Sequence, residues 1–452
     1  MGSPHRYIPN TEKDIEGMLQ DIGVSGVDDL FSDIPPEFRL DRPLDLPSAL
    51  SEQELMAEIS RLASRNSASD ANASYLGAGI YDHYVPSVVD HILRRGEFYT
   101  AYTPYQAEVS QGTLQVIFEY QTMVCELTGM DVANASLYDA GTAVAEAAIM
   151  ACSATGRKKV LVTRATNPRY REVLVTYAKP RGIEIVLVDY CPAMGVTLAE
   201  TVAQYAGPGV ACLVAQSPNY FGCVEDMESL GSVVHSSGGL FVAVVNPISL
   251  GILAPPGSYG ADIALGEGQA LGNPMNFGGP LLGFFATTNA LIRRMPGRLV
   301  GQTQDSSGRR GFVLTLQARE QHIRRESATS NICSNEALCA LAAAVYLSLM
   351  GPGGLRRVAE LCTWKAHYVR DRIAAIPNYE IPFNGPFFNE FVVRAPGCPV
   401  DRNQALLRKS IIGGKPLRGD YPELSGCTLW AVTEKRTREQ LDTLVRELEV
   451  LV

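Results

Sequence analysis

An α/β fold, with a mostly parallel sheet covered by helices and a smaller α+β region after it, is what this 452-residue sequence predicts. Three observations carry the expectation. Short apolar runs rich in Val, Ile and Leu recur from residue 159 to residue 286, they alternate with helix-period segments, and several are apolar throughout, as in strands buried on both faces. With 46% hydrophobic and 19% charged residues the chain has enough apolar side chain for one large core and one smaller one.

Taken in order, the opening is helical. Thr11 with Asp14 and Ser51 with Glu54 have capping-box spacing, ahead of amphipathic runs through Ile15, Met18, Leu19 and Ile22 and through Leu55, Ile59 and Leu62. Pro35-Pro36 and the stretch from Pro43 to Pro47 read as extended connector. This arm, residues 1–75, holds too few apolar residues to stand alone and is expected to wrap another surface. Met1 to His5 read as an expression remnant.

Helices are expected over 112–127 and 140–155, then strands over 159–163, 184–189, 211–216, 240–246, 262–266 and 281–286, which together define a large domain over 76–330. Sheets of this kind bind ligands at the carboxyl ends of their strands. After an Arg-rich passage from Arg293 to Arg325 come helices over 335–350 and 355–376, separated by Gly351-Pro352-Gly353-Gly354. Strands over 379–383, 390–394 and 428–432 and a last helix over 437–450 complete a small domain, 331–452.

Several function classes are excluded. A net charge of −9 with no basic tract argues against nucleic acid or an anionic membrane. No uninterrupted apolar run reaches the roughly 18 residues of a membrane span, and the amino terminus has no signal pattern, so a cytoplasmic location is expected. The ten cysteines are dispersed without a C-x-x-C pair and read as reduced core thiols. The six histidines lack ligand spacing, so no metal site is expected. Gly266-x-Gly268-x-x-x-Gly272 is spaced one residue too long for a dinucleotide loop. Arg309-Arg310 and Arg324-Arg325 are interleaved with Glu320 and Glu326, which favours ion pairing over an anion patch.

The segment from Tyr99 to Gln111 is dense in contact chemistry. Tyr99, Tyr102 and Tyr105, the stiff Pro104, and the polar tips of Gln106, Glu108 and Gln111 suit a loop that meets a ligand or a partner chain; an aromatic turn packed on its own core is the other reading.

Four runs of residues go further: Phe98 to Gly112, Gln216 to Gly222, Gly266 to Gly272 with Phe277 to Pro280, and Gly308 to Glu326 with Thr329 to Cys333. They closely resemble the P-protein (glycine decarboxylase) family of the glycine cleavage system, and within it the amino-terminal-half type, subunit 1, found as a separate chain in many bacteria. That resemblance implies a fold-type-I PLP-dependent transferase-like architecture. Such a site needs a Schiff-base lysine, a carboxylate on the pyridinium, a ring-stacking side chain and a helix start for the phosphate.

This chain departs from the pattern at each. No lysine lies between Lys179 and Lys365. Counting back from Gly278-Gly279-Pro280 places Gln269 at the Schiff-base position, where no imine can form. Asn246 stands where the carboxylate should close its strand, and Arg164 where the stacking histidine should precede Thr166-Asn167-Pro168. Gly141 and Thr142 occupy the phosphate cradle, but Asp139 as N-cap would fill its amides.

The resemblance thus implies a subunit that has no catalytic residue of its own and binds no pyridoxal phosphate (PLP) covalently. The coenzyme is expected on a sister subunit 2, in an α2β2 assembly that decarboxylates glycine and passes the aminomethyl group to the lipoyl arm of the H-protein. Residues of one subunit commonly complete the other's pocket in this fold, so Tyr102, Thr103, Tyr105, Gln106 and Glu108 are expected to line the partner's site. A stand-alone PLP decarboxylase or aminotransferase would have to use Lys158, Lys159 or Lys179, and a non-catalytic scaffold is a third reading.

Overall fold

The structure, a computed structural model, describes residues 7–40, 42–276 and 279–451. They fall into two compact units that divide after Asn66. The first holds helices α1 (Glu12–Ile22) and α2 (Glu52–Ala63), with Thr11 and Ser51 forming the expected capping boxes with Asp14 and Glu54. Neither helix buries a residue, and Ile22, Phe38, Leu44, Leu46 and Met56 stay exposed. The proposed expression remnant lies outside the described residues.

The second unit, from Ser67, is built on a seven-stranded sheet. Its strands are β1 (Val132–Ala133), β2 (Lys159–Thr163), β3 (Glu184–Val188), β4 (Val210–Ser217), β5 (Leu240–Val245), β6 (Ile263–Glu267) and β7 (Gly283–Thr287). The spatial order is β1-β7-β6-β5-β4-β2-β3. From β3 to β6 neighbours are parallel, while β7 runs antiparallel to β6 and β1 antiparallel to β7. This is the α/β architecture expected from the sequence.

Helices α3 (Gln111–Thr128), α4 (Ala140–Thr155), α5 (Pro168–Ala178) and α6 (Met227–Ser236) pack around the sheet. Helix α4 is buried nearly all round, and its Ala143, Ala147, Ala148 and Ala151 let its axis lie close to β2, β4 and β6 in one core with Val162, Val214, Val244 and Leu265. Strands β8 (Leu299–Gln304) and β9 (Arg310–Thr315) form an antiparallel pair over α3, within the stretch read from sequence as an Arg-rich passage.

Helix α7 (Ala337–Ala374) joins the two helices expected over 335–350 and 355–376; its backbone leaves the helical region at Gly351, with φ 58°. By length and composition it would also suffice to cross a membrane, but Cys339 to Ala344 are buried in the core beside Phe284 and Phe388. Beyond it, β10 (Glu390–Arg394), β11 (Lys415–Pro416) and β12 (Cys427–Ala431) form a small antiparallel sheet in the order β10-β12-β11, with helices α8 (Pro399–Leu407) and α9 (Arg438–Val450). The strand expected over 379–383 is absent; that segment contributes one isolated bridge, Glu380 to Arg394.

Candidate functional site

The carboxyl ends of β4, β5 and β6 and the start of α4 converge where a fold of this kind holds its ligand. Gln269 lies there and is 1% exposed. Its Oε1 accepts from the backbone N–H of Tyr81 at 3.0 Å, and its Nε2 donates to the carbonyls of Tyr81 at 3.2 Å and Asn273 at 2.7 Å. The carboxamide therefore ties the segment around Tyr81 to the turn at Asn273.

Further contacts hold that segment. The Ala78 N–H donates to Glu390 Oε1 at 2.7 Å, the Ala78 carbonyl accepts from Asn167 Nδ2 at 3.0 Å, and the Tyr81 hydroxyl donates to Glu390 Oε2 at 2.7 Å. Burial, reinforced by Glu390, pushes the Tyr81 hydroxyl well above its usual range. Tyr170 is likewise pushed up, by burial and then by Glu267, Asp139 and Glu390 around it. The segment is pinned at its far end by Asp82, which pairs with Lys435 at 2.6 Å and Arg436 at 2.7 Å.

The helix start is also taken. Asp139 caps α4 by accepting from the Thr142 N–H at 2.8 Å. Glu267, at the end of β6, accepts from the Ala140 N–H at 3.1 Å, the Gln269 N–H at 3.1 Å and the Leu282 N–H at 2.8 Å. Burial raises the Glu267 carboxyl to about 7, and these N–H groups pull the other way. Gly283 lets β7 reach this turn, since a Cβ there would lie 2.4 Å from the Asp139 carbonyl. At Gly141 a Cβ would meet Val173 at 3.1 Å.

The remaining positions are tied to other tasks. Asn246 Oδ1 accepts from the Ile248 N–H at 2.9 Å, closing a local turn. Arg164 pairs with Glu423 at 2.8 Å and Asp189 at 3.2 Å, and lies 5.7 Å from the ring centres of both Tyr190 and Tyr421. Together these residues do not fit a covalently held, phosphate-bearing coenzyme: Gln269 offers an amide and no amine, and the Asp139 and Glu267 carboxylates take N–H groups at the start of α4. Phe277 and Gly278 of the Gly-Gly-Pro turn lie outside the described residues.

The lysines that a stand-alone enzyme would need are far from this point. Lys158 and Lys159 sit at the amino end of β2, and Lys179 ends α5. Lys158 donates to the Arg181 carbonyl.

The aromatic segment forms a second, open site. Tyr102 is 90% exposed, Tyr99 70% and Tyr105 50%, so the reading of a turn packed on its own core is set aside. Tyr102, Thr103, Tyr105 and Gln106 line a hollow of about 510 Å³ together with Glu97 and Thr113. Glu108 is exposed on the next turn and is not among the lining residues.

Sequence reading missed Tyr81, Glu267 and Arg298. Arg298 is 3% exposed and donates to the Tyr105 hydroxyl at 3.1 Å. An acid closing an apolar strand was the available signal for Glu267; nothing local marks the other two. The ion pairing expected of the paired arginines is partly different: Arg309 pairs with Asp305 at 2.8 Å, and Arg310 lies over Phe312. Among the described residues one grouping has metal-ligand chemistry that the histidine spacing did not reveal, His83, Cys362 and Glu434. Glu434 accepts from His83 Nδ1 at 2.7 Å and from the Tyr84 N–H at 2.6 Å, while the buried His83 Nε2 has no hydrogen-bond partner among the described residues.

Comparison with known proteins places this geometry. The family model described as glycine cleavage system P-protein matches residues 5–448. A relative from Anoxybacillus flavithermus, named probable glycine dehydrogenase (decarboxylating) subunit 1, is 53% identical over 98% of both chains. One from Moorella thermoacetica with the same name is 54% identical over 97% of this chain and 98% of its own. A crystal structure of glycine decarboxylase (P-protein) of the glycine cleavage system, in inhibitor-bound form, superposes with a TM-score of 0.91 at 44% identity, covering 99% of this chain and 100% of that one.

Proposed function

The chain belongs to the glycine cleavage system P-protein family, and on that premise we propose that it is the subunit of a two-chain glycine decarboxylase that shapes the active site without holding the coenzyme. It works as part of a glycine dehydrogenase (decarboxylating) complex with a second subunit, and the stand-alone reading is not favoured. PLP belongs on subunit 2, glycine is the substrate, and the aminomethyl group leaves on the lipoyl arm of the H-protein. An α2β2 assembly in the cytoplasm completes the reading.

One observation supports it above the rest: Gln269 is spent on the backbone of Tyr81, and the Glu267 and Asp139 carboxylates already take N–H groups at the start of α4. By contrast the Tyr102 to Gln106 edge is open, aromatic and polar, the composition of a surface that a partner covers. Tyr102, Thr103, Tyr105 and Gln106 are assigned to the partner's site on this ground, and Glu108, exposed on the next turn, on the resemblance alone.

The test is reconstitution. Glycine–bicarbonate exchange should need both subunits, with PLP retained by borohydride reduction only on subunit 2. Exchange by this chain alone, or reduced coenzyme found on it, overturns the reading.

A further inference from the structure

We propose that Tyr105, held from behind by Arg298, presents its hydroxyl hydrogen to an anionic oxygen, a carboxylate or a phosphate, in the site that this chain completes on its partner. The inference rests on the reading above and deepens it by assigning the chemistry of one contact.

The direction of the hydrogen bond carries the argument. The Arg298 guanidinium can only donate, so at 3.1 Å the Tyr105 oxygen is the acceptor. A phenol has one hydrogen, which is then left for another partner. Within the described residues no acceptor takes it, and Tyr105 is half exposed at the edge of the 510 Å³ hollow. The outward-facing group is thus a donor by default.

The surroundings keep it fixed. Arg298 is buried, with its Nη1 near Asn335 Oδ1 at 3.4 Å, its Nη2 also on the Cys333 carbonyl, and its Cζ 5.2 Å from the centre of the Tyr105 ring. The His322 ring lies 5.7 Å away from Tyr105. Pro104, immediately before it, is buried and fixes φ. A donor whose ring and oxygen are held in advance loses little freedom when it meets its acceptor.

Charge selects the acceptor. Arg298 is buried and Arg319, whose Nη2 donates to the Gly297 carbonyl beside it, is half-buried, and Glu320 is the carboxylate set against both. Glu97, the carboxylate lining the hollow, is paired with Arg95, so Glu320 alone is set against the two guanidinium groups, and the Nε atoms of both arginines have no hydrogen-bond partner among the described residues. The field at the Tyr105 hydroxyl therefore favours an anion over a neutral carbonyl.

The experiment uses the reconstituted complex with Tyr105→Phe, Arg298→Lys and Arg298→Met. If the acceptor is the substrate carboxylate, Tyr105→Phe raises the KM for glycine and the inhibition constant of acetate about tenfold while PLP affinity holds. If it is the coenzyme phosphate, PLP affinity of the apo complex falls about tenfold and that of pyridoxal, which lacks the phosphate, does not. Either result supports the proposal, and Arg298→Lys should retain more of the effect than Arg298→Met.

A fluorescent amino acid incorporated at position 103 separates the two levels of the argument. Quenching by the coenzyme with neither affinity altered in Tyr105→Phe overturns the anion contact and leaves the subunit reading standing. Absence of quenching in an assembled complex overturns the placement of the loop and the proposal with it. Should the buried Arg298 variants fail to assemble, Tyr105→Phe still decides.

Discussion

The Gln269 side chain grips the backbone of Tyr81 at both its polar groups, accepting from the N–H at 3.0 Å and donating to the carbonyl at 3.2 Å. The side chain is therefore a structural clamp, and the amide is the side chain that can serve a donor and an acceptor at once.

Replacing it by the missing amine should not create a coenzyme enzyme. Gln269→Lys leaves the Tyr81 carbonyl and N–H poorly matched and buries an ammonium, a loss of about 3 kcal/mol. The expected outcome is a lower Tm and no coenzyme retained after incubation with PLP and borohydride. Stoichiometric labelling of the variant alone would contradict this.

Glu390 should make stability depend on pH. Burial raises its carboxyl from 4.5 to about 7 in the folded chain. The folded state then binds the proton more tightly than the unfolded one, so this contribution is whole below pH 4.5, is lost as the pH rises towards 7, and is level above that. Glu390→Gln should flatten the fall in that window by at most about 3 kcal/mol. Denaturant melts at a series of pH values read the slope, and an unchanged slope would count against a proton held on Glu390.

At Gly222 the chain crosses the same residue too closely for any side chain. A Cβ there would lie 1.9 Å from the Glu390 carbonyl oxygen, on a backbone with φ +85°. Gly222→Ala should cost about 3 kcal/mol from crowding and the left-handed backbone together. The midpoint of urea unfolding checks it, and a loss within error of zero would mean that β10 moves freely.

Arg164 and Glu423 offer a smaller effect. Their contact at 2.8 Å is partly open to water, with side chains 29% and 41% exposed. A double-mutant cycle with Arg164→Ala and Glu423→Gln should give a coupling of about 1 kcal/mol that shrinks in high salt. A coupling that salt does not touch would point to ring stacking on Tyr190 and Tyr421 instead.

What could be read from the sequence follows from how local each feature is. Strand β2 and helix α4 were legible to the residue, because a Val-rich run and an Ala-rich one are buried along most of their length. Strand β1, two residues long, and the β8–β9 pair, with its exposed Thr303, Gln304 and Arg310, carry no such run. The departures at Gln269, Asn246 and Arg164 could be counted from motifs. The contacts of the Tyr81 segment could not, since its partners, such as Gln269 and Glu390, lie 188 and 309 residues away. Arg298 escaped notice for the same reason, at 193 residues from Tyr105.

The Asp139 and Glu267 carboxylates at the start of α4 act as a ratchet. Removing either before a phosphate is available leaves backbone N–H groups unmet, and adding a phosphate before they are removed sets like charges together. A phosphate at this helix start would therefore have to displace both carboxylates together, which makes the capped turn a barrier to anion binding built from the chain's own side chains.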